Sequence, residues 1–186
     1  MTRHCSGSLL VGVGVLLVAL VGLAGCSTSP PKGVTPVAPF DVERYLGKWY
    51  EIARLDHRFE RGLSNVTATY SLWPDGEIKV INRGYNDRKG DYEEVEGEAQ
   101  FIGSPNVGSL KVSFFGPFAG GYHLVALDQV DYSWAMVAGA DRDYLWILSR
   151  EKQLDPKVQE YLVRQAALLG FDVSELIWVR QDRDDA

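Results

Sequence analysis

The sequence predicts an all-β fold: an eight-stranded antiparallel up-and-down β-barrel, followed by one C-terminal α-helix and a short ninth strand. Three observations predict it. Eight segments with strand-like apolar and aromatic content follow one another at short spacing, at 49–55, 65–73, 77–85, 92–102, 109–115, 122–128, 133–139 and 144–150. Between them lie turn residues, among them Pro74-Asp75-Gly76, Asp87 to Gly90, Ser104-Pro105-Asn106, Gly116-Pro117 with Gly120-Gly121, and Asp141-Arg142-Asp143. Links this short join neighbouring antiparallel strands. The third observation is one helical pattern after the eighth strand. Asp155 caps it, Pro156 suits its first turn, and Val158, Tyr161, Leu162, Gln165, Ala166 and Leu169 share a face before Gly170 ends it. A strand signal at 176–179 follows. Eight such strands close around an interior wide enough for one small ligand, with a two-sheet sandwich as the structural rival.

Ahead of the barrel, residues 1–25 read as a secretion signal: Arg3 and His4 make a weakly basic start, an apolar run extends from Leu9 to Leu23, and small residues follow. The run is shorter than the ~20 residues of a membrane span and is interrupted by Gly12, Gly14 and Gly22. Leu23-Ala24-Gly25-Cys26 looks like a bacterial lipobox, which implies cleavage before Cys26 and acylation of its sulfur and new amine. Several acyl chains on one residue make a stable membrane anchor. By resemblance to lipoprotein sorting, Ser27 after that cysteine favours the bacterial outer membrane, with the domain facing the periplasm. Residues 26–39 then form the lipidated N-terminus and a tether whose four prolines lack apolar periodicity. At ~3.1 Å per residue such a tether spans ~40 Å. Residues 40–181 make one domain, and 182–186 a charged tail.

Cys5 leaves with the signal and Cys26 carries lipid, so the folded part has neither disulfide nor catalytic thiol. After cleavage the chain keeps 18 basic against 25 acidic side chains, a formal charge of −7. Such a balance argues against nucleic acid as a partner. Glu93, Glu94, Glu96 and Glu98 follow the period of a strand's outer face, which argues against a metal site. Asp56, His57 and Ser64 suggest a hydrolase, but no Gly-x-Ser-x-Gly elbow occurs and no catalytic residue is assigned. His57 and His123 raise haem ligation, weighed against a pocket-edge or surface role; no cofactor is expected.

The run Tyr45-Leu46-Gly47-Lys48-Trp49-Tyr50-Glu51-Ile52-Ala53-Arg54 delivers Gly-x-Trp-Tyr into the first strand, and Tyr144 to Arg150 places an arginine at the end of the eighth. Together these resemble the opening and closing motifs of the lipocalin family. Residues 56–72 and 112–118 are similar to bacterial outer-membrane members of that family. The resemblance implies that Gly47, Trp49, Tyr50 and Arg150 are a structural motif, with Trp49 plugging the barrel floor beneath the Arg150 guanidinium. It also implies that Tyr70, Asn82, Phe114, Tyr122 and Trp146 line a cavity. The links at 56–64, 86–91, 116–121 and 140–143 then surround an open mouth, where Arg58, Arg61, Arg88, Lys89 and Arg142 are candidates for head-group contact. The implied function is to bind, store or transport a hydrophobic ligand, a fatty acid or a lysophospholipid, with no enzymatic activity. An envelope protein-interaction module with an empty barrel is the alternative. Oligomeric state is not legible in these residues.

Overall fold

The computed structural model describes residues 27–184; the secretion signal, Cys26 and the last two residues of the tail lie outside them. One helical turn, α1 (Val42–Tyr45), capped by the Asp41 carboxylate, leads into β1 (Gly47–Arg54). There follow β2 (Leu63–Leu72), β3 (Ile78–Asn86), β4 (Asp91–Phe101), β5 (Ser109–Phe115), β6 (Phe118–Leu127), β7 (Trp134–Ala138) and β8 (Leu145–Ser149). The chain then forms α2 (Pro156–Leu168), a 3-10 turn (Val173–Glu175) and β9 (Ile177–Trp178). Each of β1 to β8 is antiparallel to its sequence neighbour, and β1 pairs with both β2 and β8, so the wall closes.

Side chains opposite one another on antiparallel strands share a face, so the register sorts the wall into inside and outside. Trp49 opposes Ala68, Ala68 opposes Asn82 and Asn82 opposes Val95. Tyr122 opposes Leu110, and Trp146 opposes Val137. These residues face the lumen. The apolar interior runs from Phe40, Tyr45 and Trp49 through Tyr70, Val80 and Leu124 to Leu148. A second apolar cluster lies outside the wall, where Ile52, Met136 and Ile147 pack against Leu162 and Ala166 of α2. Asp155 caps α2 by accepting from the Lys157 amide, as its position before Pro156 predicts. Tyr161, expected on the buried face, is 41% exposed and meets Trp134 edge to face.

Three segments differ from expectation. The tether is no free spacer, because residues 28–39 run along the outside of the barrel. Val34 is buried, Lys32 O accepts from Arg142 at the mouth, and the Val37 amide donates to Leu124 O. The prolines stop it from adding a ladder strand, but they leave carbonyls and apolar side chains to bind the wall. The tail is also held: the Arg183 amide donates to Asn65 Oδ1, and its guanidinium lies 3.6 Å from the Tyr85 ring centroid. Finally, the loop expected to reach Gly121 is a tight turn at Gly116-Pro117, and β6 begins at Phe118. Gly116 takes φ 60°, which glycine adopts without strain, so the hairpin turns in two residues.

Candidate functional site

The floor is built first. Gly47 lets the chain enter β1 at φ 91°, a conformation other residues avoid. Trp49 is fully buried and donates from Nε1 to Tyr45 O at 2.8 Å. The Arg150 guanidinium stands 3.8 Å from the Trp49 ring centroid and donates to the carbonyls of Lys48, Arg44 and Tyr132. Those carbonyls fix the cation over the ring. Tyr50 points the other way, towards the cluster under α2.

Above the floor three phenols meet. Tyr122 Oη is 2.6 Å from Tyr45 Oη and 2.7 Å from Tyr70 Oη. Burial pushes all three phenol pKa values up, so the hydroxyls are neutral donors and acceptors. Asn82 faces the lumen as its register requires, and its Oδ1 is buried without a hydrogen-bond partner. Such an orphaned acceptor carries a cost of about 1–3 kcal/mol unless something in the lumen donates to it. Phe114 packs against the interior cluster from β5, close to the Gly97 backbone. Trp146 enters from β8 directly opposite Arg54.

Sequence reasoning missed the upper lumen. Glu51 and Arg54 point inward and are buried, with Arg54 Nη1 donating to Glu51 Oε1 at 2.6 Å. Arg54 Nη2 donates to the carbonyls of Glu60 and Leu63, which fastens the start and end of the loop at 56–62. Glu60 turns back into the lumen, where Trp146 Nε1 donates to its Oε2 at 3.1 Å and His57 Nε2 lies 2.9 Å from the same oxygen. His57 is buried against Tyr144 and Trp146. Burial, reinforced by the nearby Glu60 charge, holds the Glu51 carboxyl well above the ordinary range despite Arg54. Burial also acts to raise Glu60, but His57, Trp146 and Arg54 outweigh it and hold that carboxyl below its ordinary value. A signal existed, since alternation from an inward Trp49 puts Glu51 inward too. It is hidden because charged residues are seldom placed inside unless paired.

The remaining candidates are placed as follows. Arg61 is bound to Asp56 at 2.5 Å, Lys89 is paired with Glu93, and Arg142 is spent on the carbonyls of Leu169 and Lys32. Arg58 lies 4.9 Å from the Phe59 ring centroid, and Arg88 is exposed. Ser64 Oγ donates to Asp87 and accepts from Arg180, not from His57. His123 is on the outer wall, sealed under residues 28–29 and 2.9 Å from Ser109 Oγ, so it does not reach the lumen.

Residues 40–181 match the family model described as a lipocalin-like domain. The chain belongs to the lipocalin family. This lipocalin is 54% identical over 173 residues to the outer membrane lipoprotein Blc of Escherichia coli strain K12, covering 93% of this chain and 97% of that protein. It is 36% identical to apolipoprotein D of Bos taurus over 166 residues, 82% and 86% of the two chains. Among solved structures, insecticyanin from the tobacco hornworm Manduca sexta has a TM-score of 0.65 at 23% identity, covering 83% and 87% of the two chains, which reflects the shared fold. Lipocalins are generally binding and transport proteins. Its expected place on the outer membrane agrees with the name of its bacterial relatives.

Proposed function

We propose that this lipocalin binds a fatty acid or lysophospholipid inside its barrel and stores or carries it at the periplasmic face of the outer membrane, held there by acylated Cys26. The observation that carries the reading is the lumen's division into two chemistries. Phe114, Val80, Leu124 and the floor aromatics offer apolar surface, while Asn82, the three phenols and the Arg54–Glu60 pair offer polar contacts. An acyl chain of sixteen carbons gains ~12 kcal/mol gross at ~0.8 per buried methylene, part of which is offset by ordering it. A head group carrying a donor would satisfy Asn82 Oδ1. Tyr70, Asn82, Phe114, Tyr122 and Trp146 are the proposed ligand contacts.

Native mass spectrometry with solvent extraction on residues 27–186, expressed without the lipobox, tests this reading. The expected result is one bound fatty acid or lysophospholipid per chain. An empty barrel that also refuses added lysophospholipid would favour a protein-interaction module instead.

A further inference from the structure

The described chain begins on the mouth half of the barrel wall. The carbonyl oxygen of Thr28 sits so close to β6 that a Cβ added at Gly121 would be 3.1 Å from it. Gly121 is three residues into β6 from Phe118 at the rim, about 10 Å along the strand, and six residues from the floor end at Leu127, about 20 Å. Four residues on, Lys32 O is held by Arg142 in the β7–β8 turn, which also belongs to the rim. Cys26 is two residues from Thr28, a reach of at most about 7 Å. The rim thus lies about half as far from Thr28 as the floor does.

The rim itself is apolar at two points. Phe115 and Phe118 face each other across the β5–β6 turn with 67% and 69% of their surface exposed, on either side of Gly116-Pro117. Phe59, in the β1–β2 link, is 59% exposed with the Arg58 guanidinium beside it. In the closed strand order these two links are four strands apart, on opposite sides of the opening. At the floor, Leu72 and Trp73 are 38% and 39% exposed, and Lys79 Nζ stands 4.7 Å from the Trp73 ring centroid. The three most exposed aromatic residues among those described thus lie at the rim, the end nearer to Thr28, the pattern of an interfacial contact surface.

We infer that the mouth rim is a membrane-docking surface: Phe115, Phe118 and Phe59 enter the phospholipid bilayer holding the Cys26 acyl chains, so the lumen opens onto the lipid. This rests on acylation of Cys26. The full acylated protein, reconstituted in vesicles of phosphatidylethanolamine and phosphatidylglycerol, carries an environment-sensitive thiol label in Phe118→Cys or, at the floor, Val130→Cys. Nitroxide-bearing lipids should quench the label at 118 and leave that at 130 unaffected. Equal quenching, or quenching at 130 alone, overturns the proposal. Phe115→Ser with Phe118→Ser should slow lysophospholipid uptake from vesicles by about tenfold while its Kd in free solution stays unchanged. A weakened Kd would make these residues part of the ligand site and would likewise overturn it. Mass spectrometry of the mature N-terminus separates the causes. An acylated Cys26 with an unquenched rim sinks the docking surface alone, whereas an unacylated Cys26 removes the anchor and the docking surface together.

Discussion

Glu51 is a carboxyl buried inside a barrel, and its protonation couples to stability in a direction that can be worked out. Its pKa in the folded chain lies above the ordinary 4.5, chiefly through burial. A raised value means that the folded state holds the proton more tightly than the unfolded one. The resulting stabilisation is full below about pH 4.5 and is lost as pH rises through the folded value. Glu51→Gln should therefore gain stability relative to the parent between pH 4 and pH 8, measured by urea unfolding at each pH; a difference independent of pH would refute the buried titration. Trp49→Ala removes the floor plug from beneath the Arg150 guanidinium and should cost about 3–5 kcal/mol by the same measurement. The roles of these two neighbours differ in legibility. Trp49 announces itself through its motif, whereas Glu51 reads as solvated until Arg54 is seen beside it.

The elements were legible where local chemistry decides them. Alternating strands, Gly-Pro turns and the Asp155-Pro156 start of α2 all follow from short-range rules, and their limits agree to within a few residues. What escaped depends on long-range contact. α1 is a single turn whose placement rests on its neighbours, since the Tyr132 hydroxyl accepts from the Asp41 amide and Gln129 donates to Pro39 O. Residues 28–39 read as a spacer because nothing in their sequence tells that Leu124, Gly108 and Arg142 offer them partners. The pairing of β4 with β5 makes a sharper claim about one glycine. A Cβ at Gly97 would meet Phe114 Cδ1 at 2.5 Å and the Ser113 carbonyl oxygen at 2.6 Å. The second of these is backbone and cannot swing away, so Gly97→Ala should destabilise the barrel by about 1–3 kcal/mol in a thermal melt.

For the molecule as a whole, the central prediction is that the lumen can be poisoned without breaking the wall. Phe114→Arg places a charge where an acyl chain would lie, and it should abolish lysophospholipid binding by calorimetry while the protein still unfolds in one cooperative transition. Unchanged affinity in that folded variant would refute the assigned lumen site. The wall has one further property. β1 pairs with β2 only over Gly47 to Tyr50; beyond that the Val179 amide donates to Ile52 O, the Asn65 amide donates to Arg180 O, and Gln181 Nε2 donates to the carbonyls of both Glu51 and Val66. The gap between the first two strands is thus filled by residues translated after all eight. A nascent chain holding every strand of the barrel still lacks the wedge that finishes its seam. Completion of the fold is thereby deferred until β9 and the residues after it have left the ribosome.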